Sequence, residues 1–432
     1  MDVALRIADE HALDRAWAWA FPAGSLHVNV AASAPTIKDS LSALALSIAR
    51  LGHRGPDAFP LLFTEPSSPL AAHQSASLFP RDSVVRQLVS LFWVAYAGSF
   101  LLYWSISTLS YYALFDRRLE HHPRFLKNQV RKEITLSMQA MPGMAALIVP
   151  WFVGEVRGTT LLYDRVEEYG AGWFKGTVLE GYGPWTYLGF SMVVFLLSTD
   201  WCIYWIHRWL HIPFFYKRLH KPHHRWLALA FHPVDGYAQS LPYQYVSFNF
   251  AQSRRYRLTW LPLISIIPYI LPMNKWLYFG MFMVVNLWTI LIHDGDMIHG
   301  HFLEKFINSP AHHTLHHLYF TCNYGQYFTW ADKYGGSYRP PREDLDPIHD
   351  ALKNMERKAK LADKEAKTAL REQKKQLSTD STTAVVVGLE ADQQSDSGYE
   401  GSDAETDRKS DAKSTHIRSI SRDDTKDVRR RR

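Results

Sequence analysis

The chain has 432 residues, 48 Lys and Arg against 42 Asp and Glu, and a formal charge of +6. Its two cysteines, Cys202 and Cys322, are too few for a disulfide framework, a zinc finger or a thiolate-held iron–sulfur centre. The charge is modest and forms no basic stripe, so nothing points to nucleic acid.

The first 86 residues carry no repeat or motif that assigns them a role. Met1–Arg15 holds Asp2, Arg6, Asp9 and Glu10 and no apolar core, so it does not read as a cleavable signal peptide. Gln87–Phe115 then runs without a charge and is long enough to cross a bilayer. Ile134–Gly154 is a second such stretch. Gly181–Thr199 is a third, interrupted by Asp200 before Trp201–Ile206 continues. Leu258–Asn274 and Trp276–His293 are separated only by Lys275, and Pro262, Pro268 and Pro272 break the first of the pair. That pair reads as a bent double pass. The alternative is a set of buried core helices in a large soluble protein. Several spanning-length stretches with flanking Trp and Tyr argue against it.

Positive charge in short loops sets the orientation. Arg117, Arg118, Arg124, Lys127, Arg131 and Lys132 follow the first span, and Arg208, Lys217, Arg218, Lys221 and Arg225 follow the third. Glu155–Glu180, between the second and third spans, is more acidic than basic. The two basic segments are therefore expected in the cytosol and the acidic one on the far side. After Pro340 the chain turns polar. Ala351–Gln376 reads as a charged helix, followed by a Ser/Asp/Thr-rich run expected to be disordered and ending in Arg429–Arg432.

Thirteen of the 21 histidines lie between His207 and His317. They form His207-x-x-x-His211, His220-x-x-His223-His224 and His313-x-x-His316-His317. Neutral imidazole is a common ligand for iron, zinc and copper, and eight histidines in three tight groups exceed the needs of one ion. Two metals are expected. Residues four apart share a helix face, so His207 and His211 can point at one ion. His220, His223 and His224 combine a three-residue spacing with an adjacent pair, so one turn can serve two ions. His293 and His232 are isolated and are added as weaker ligand candidates. Asp200, Asp235 and Asp294 are candidates to orient imidazole N–H groups. An all-nitrogen pair of metals with open positions suits iron and dioxygen chemistry.

Longer words around these histidines resemble one family. Thr199-Asp200-Trp-Cys-Ile-Tyr-Trp-Ile-His207-Arg-Trp-Leu-His211 and Tyr216-Lys-Arg-Leu-His220-Lys-Pro-His223-His224 resemble the sterol C5-desaturases, or lathosterol oxidases, of the fatty acid hydroxylase superfamily. So do Phe231-His232-Pro-Val-Asp235-Gly-Tyr-Ala-Gln-Ser-Leu-Pro-Tyr243 and Asn286-Leu-Trp-Thr-Ile-Leu-Ile-His293-Asp-Gly. The third box is followed by Asn323-Tyr-Gly-Gln-Tyr-Phe-Thr and Gly335-Gly-Ser-Tyr-Arg, and His122-Pro-Arg-Phe-Leu-Lys-Asn-Gln-Val130 looks like the fungal branch. The resemblance covers about 87–341. It departs from the family in two places. The chain runs from Arg225 to Ala230 straight into Phe231-His232, where the family usually has about six more residues. The stretch from Tyr245 to about Leu263 looks like an insertion, with a retained intron and natural variation as its two explanations.

The resemblance implies a mostly α-helical integral membrane bundle with a cytosolic, histidine-rich di-metal cap in the endoplasmic reticulum. It implies two non-heme irons, O₂ as co-substrate, and electrons from NAD(P)H through cytochrome b5 and its reductase. The implied reaction forms the C5–C6 double bond of a Δ7-sterol. A sterol or fatty-acyl hydroxylase and a non-catalytic metal-binding scaffold are the alternatives. The expected organisation is an N-terminal region at 1–86, a catalytic domain at 87–341 and a polar cytosolic tail at 342–432.

Overall fold

The computed structural model describes residues 1–24, 37–63, 65, 68–69, 71–74, 76–224, 233–247, 271–295, 297 and 299–391. His232, the shortened segment after His224 and most of the expected insertion lie outside these residues, as does the part of the Ser/Asp/Thr-rich run from 392 onward. The chain forms two compact units, 1–359 and 360–432.

The first unit is built on long apolar helices. Helix α1 (Val84–Ala113), α2 (Gln129–Val156) and α3 (Gly183–Leu210) are each long and apolar enough to cross a membrane. The expected first three spans are therefore present, and the protein is a mostly helical multi-span bundle. The outer face of α1 exposes Trp93, Leu101 and Leu109, a surface that water would penalise and lipid would not. Helix α2 holds Pro142 and Pro150 in its interior, a pattern tolerated where neighbouring helices re-satisfy the freed carbonyls. Helix α3 opens with Pro184 in its first turn and stops at Leu210, just before Pro213.

Helix α4 (Pro233–Ser247) packs against α2 and α3. Helix α5 (Lys275–Leu291) starts at Asn274, whose side chain accepts from the backbone N–H groups of Trp276 and Leu277 at 3.0 and 3.2 Å. With 17 residues it is shorter than a typical span. The other limb of the expected double pass, Leu258–Asn274, is described only from Leu271. Helix α6 (Pro310–Tyr319) carries the third histidine box and is capped reciprocally by Ser309 and His312. Helix α7 (Ile348–Ala391) includes the charged stretch expected to be helical and continues through 377–391, the start of the run expected to be disordered. Its first turns belong to the first unit, where Ala351 is buried and Asn354 donates to the carbonyl of His121 at 2.7 Å.

The bundle has two polar ends. At one end, strands β1 (Leu162–Tyr163) and β2 (Met273–Asn274) pair in parallel, with Leu162 opposite Met273. There Lys275 joins Asp2 at 3.1 Å and also Asp164. At the other end the three histidine boxes meet. The core between these ends is Phe195 and Ile203 of α3 against Tyr278, Met281 and Val285 of α5.

The N-terminal region, unassigned from sequence, is anchored on the start of α1. Arg81 and Arg86 are fully buried, and so are Asp9 and Asp14. Arg81 meets Asp14 at 2.5 Å, and Arg86 meets Asp9 at 2.7 Å and also Asp14. Trp17 donates its indole N–H to Ser90 on α1 at 3.0 Å. A buried ion pair adds little over a well-packed apolar pair, but breaking it leaves a charge uncompensated, at about 3–5 kcal/mol. Asp14→Ala should therefore lower the thermal unfolding midpoint of the detergent-solubilised protein markedly. Asp344→Ala, which breaks the exposed pair with Arg342, should leave that midpoint unchanged.

Candidate metal centre

The local chain geometry brings nine histidines together in two groups. The first is His207, His211, His220, His224 and His316; the second is His223, His293, His313 and His317. Within each group the candidate ligand nitrogens all lie within 4.8 Å of one another. The adjacent pairs divide between the groups. His223 goes to one and His224 to the other, and His316 and His317 part in the same way. Neighbouring helical residues point about 100° apart, so an adjacent pair must serve different centres. The (i, i+4) pairs His207–His211, His220–His224 and His313–His317 each stay in one group. His293, isolated in sequence, reaches the second group from the residue that follows the C-cap of α5.

The rings are held from behind. Nδ1 of His207 donates to the carbonyl of Tyr324 at 2.9 Å, and Nδ1 of His316 to that of Cys322 at 2.7 Å. Nδ1 of His293 donates to the carbonyl of Thr289 at 2.5 Å, and Nδ1 of His220 meets Asp235 Oδ2 at 3.0 Å. A carbonyl oxygen can only accept. The proton must sit on Nδ1 in those rings, and each Nε2 is left with a bare lone pair.

The Nε2 atoms of each group face one another. His224 Nε2 lies 3.0 Å from His220 Nε2, 3.1 Å from His211 Nε2 and 3.1 Å from His316 Nε2. In the second group His313 Nε2 lies 2.8 Å from His293 Nε2 and 3.1 Å from His317 Nε2. His207 Nε2 is buried with no hydrogen-bond partner among the described residues. Facing lone pairs repel unless a proton or a cation sits between them. Protonation is opposed: burial, reinforced by His220, pushes His211 down to about 3. Burial and the neighbouring imidazoles hold His223, His224, His313 and His316 well below the usual histidine range. Metal–imidazole bonds of about 2.1 Å at right angles would set neighbouring nitrogens about 3.0 Å apart, which is the spacing found. The donor set fits two metal ions.

The carboxylates differ in what they touch. Asp235 backs His220 and also accepts from Gln239 at 3.0 Å. Asp294 lines the cavity beside His293. Asp200 touches no ring in the hydrogen bonds seen; its Oδ1 accepts from the backbone N–H groups of Gln326, Tyr327 and Phe328 at 3.2, 2.7 and 3.3 Å. A second aspartate, Asp332, not singled out from sequence, accepts from the N–H groups of Tyr324 and Gly325 at 2.8 and 2.7 Å. The two clamp the loop whose Tyr324 carbonyl holds His207. The words Asn323-Tyr-Gly-Gln-Tyr-Phe-Thr and Gly335-Gly-Ser-Tyr-Arg bracket this loop and were its only trace in the sequence. His299 and His301 are exposed and in neither group, and His312 serves as a cap on α6.

A cavity of about 340 Å³ opens on the second group, whose His293, His313 and His317 form one wall. Tyr103, Trp104, Tyr111, Phe115 and Phe125 form much of the rest. A second apolar cavity of about 760 Å³ lies among α1, α2 and α5 and shares Tyr103 and Ile290 with the first. Volumes of this size take a drug-sized apolar molecule.

With this geometry in hand, known proteins can be compared. Residues 192–337 match the family described as fatty acid hydroxylase. The chain is 50% identical over 295 residues to a Delta(7)-sterol 5(6)-desaturase of Gibberella zeae, covering 67% of this chain and 80% of that protein. It is 45% identical over 364 residues to a Delta(7)-sterol 5(6)-desaturase of Aspergillus fumigatus, covering 83% and 95%. It is 44% identical over 269 residues to a lathosterol oxidase of Homo sapiens, covering 61% and 79%. No solved structure matches it.

Removing the carboxylate behind His220 tests the geometry. Asp235→Ala should weaken metal affinity about 10- to 100-fold while the protein stays folded. Asp235→Asn keeps an acceptor behind the ring and should lose less. Titration of the metal-depleted protein with ferrous ion measures both.

Proposed function

This chain belongs to the sterol desaturase family of the fatty acid hydroxylase superfamily and is closely related to Δ7-sterol 5(6)-desaturases, and we propose that it forms the C5–C6 double bond of a Δ7-sterol. One observation carries the chemical side of this reading: two groups of inward-facing imidazoles, the second lining an apolar cavity within a membrane-spanning bundle. A soluble metabolite would not need such a wall, whereas a fused-ring lipid would.

We assign one ion to His207, His211, His220, His224 and His316, and the other to His223, His293, His313 and His317, with His232 as a further candidate. Asp235 orients His220, Asp294 stands beside His293, and Asp200 acts through the backbone at 326–328. Two iron ions bound there would supply the O₂-dependent oxidation that takes one hydrogen from C5 and one from C6. The overall balance is one sterol, one O₂, two electrons and two protons giving the alkene and two waters. The electrons come from NAD(P)H through cytochrome b5 and its reductase.

The chain's own residues do the rest. The aromatic cavity wall excludes water and holds the ring system against the histidines, so the reactive carbons meet the oxidant in one orientation. The carbonyls behind His207, His293 and His316 keep their Nε2 lone pairs available through turnover. The catalytic domain is assigned to 87–341, with 1–86 as an N-terminal region and 342–432 as a polar tail. We assign the histidine end and the tail to the cytosolic side of the endoplasmic reticulum, a reading supported by the basic loops after α1 and α3.

Expression in a yeast lacking its own C5-desaturase should restore C5-unsaturated sterols. Alanine at any of the nine clustered histidines should abolish them, while His299→Ala and His301→Ala stay within a few-fold of the parent. Sterol profiles per unit of membrane protein give the answer. A hydroxylated sterol that does not proceed to the alkene would make the chain a hydroxylase. No altered sterol, with protein present in the membrane, would make it a scaffold.

A further inference from the structure

The cavity beside the second histidine group is apolar over most of its wall, and two carboxyl groups line it, Asp294 beside His293 and Glu133 on α2. Glu133, in the second turn of α2, lines it, and Ser107 of α1 does too. Glu133 Oε1 and Ser107 Oγ are both buried with no hydrogen-bond partner among the described residues. Among the described residues no lysine or arginine lines the cavity to pair with the Glu133 carboxyl. Gln129 hydrogen-bonds to the Glu133 carboxyl, and Gln129 Oε1 is itself fixed by the N–H of Leu126 at 2.9 Å. The acceptor is thus held in place and left unmet. A buried acceptor without a donor is costly, and such a group in a ligand cavity is met by the ligand.

We propose that Glu133 and Ser107 form the subsite for the sterol's 3β-hydroxyl, an inference that rests on the sterol reading above. A sterol is a rigid apolar ring system with one strong hydrogen-bond donor, which matches an aromatic cavity with one unmet carboxyl oxygen. The hydroxyl donates to Glu133 Oε1 and accepts from Ser107 Oγ. The geometry of the substrate links this grip to the chemistry. C3 and C5 belong to the same six-membered ring, separated by a single carbon, and C6 is bonded to C5. Fixing the hydroxyl on this wall therefore fixes C5 and C6 within the cavity that His293, His313 and His317 also line. Glu133 acts as a positioning residue, setting which carbons are presented rather than reacting with them.

The test is a binding cycle on the full-length protein in lipid nanodiscs, by competition with a fluorescent sterol. Its two ligands are a Δ7-sterol and the same sterol lacking the 3-hydroxyl. The parent protein should prefer the hydroxylated ligand by roughly threefold to tenfold, the range for one net hydrogen bond. Glu133→Leu should erase that preference by weakening the hydroxylated sterol alone. Glu133→Gln, which keeps an acceptor, should restore most of it, and Ser107→Ala should fall between. If Glu133→Leu fails to reach the membrane, the Ser107→Ala cycle reads the same subsite. Equal weakening of both ligands in the variants, or no preference in the parent, overturns the proposal. The readout is binding rather than turnover. A parent that discriminates by the hydroxyl but forms no alkene would contradict the desaturase reading and leave the subsite standing.

Discussion

Repulsion among buried lone pairs is the constraint on which the histidine end depends. Nine imidazoles are packed with their Nε2 atoms converging in two groups, and four have their Nδ1 protons committed to carbonyls or a carboxylate. Hydrogen bonding within the groups relieves that arrangement only in part, because one Nε2–H can serve one neighbour where His224 Nε2 faces three, and burial drives the rings toward the neutral form. Two divalent cations do relieve it. The segment from Asn308 to Ser337 then has a clear purpose. It supplies the Cys322 and Tyr324 carbonyls, and Asp200 and Asp332 hold it by five backbone N–H groups. Disturbing the loop would release the rings it supports.

The membrane helices serve this centre by delivering its parts from distant places in sequence. Helix α3 carries His207 in its last turn and hands over to His211, α5 brings His293, and α6 brings the third box. Helices α1 and α2 add no histidine to either group but close the cavity that faces the second one. The anchoring of the N-terminal region at Arg81 and Arg86 fixes the start of α1, the helix that carries Tyr103 and Ser107 along that cavity.

Much of this was legible in the sequence, because metal ligation and bilayer crossing leave short-range marks. Uncharged runs of spanning length gave α1, α2 and α3 to within a few residues, with α2 starting earlier because its first turns carry the charged Arg131, Lys132 and Glu133. The spacing within the boxes showed that two centres were needed. It could not show which ring serves which centre, since that depends on how α3, α5 and α6 meet in space. Asp235 stands behind His220, and nothing local to it reveals that contact. Asp200 was read as a candidate imidazole partner; it sits about two helical turns before His207, and its carboxylate turns to the 326–328 backbone instead. Asp332 and Glu133 escaped notice because each is a single acidic residue whose role comes only from what packs around it. The buried Asp9–Asp14–Arg81–Arg86 network was hidden for the same reason: its members are up to 77 positions apart.

The central claim is that the nine imidazoles enclose two iron ions. Iron K-edge X-ray absorption on purified protein, quantified against chain concentration, tests it most directly. The account predicts close to two irons per chain, a shell of nitrogen and oxygen at about 2.1 Å and the outer-shell scattering of imidazole rings. One metal per chain, sulfur in the inner shell or the absence of imidazole scattering would contradict it.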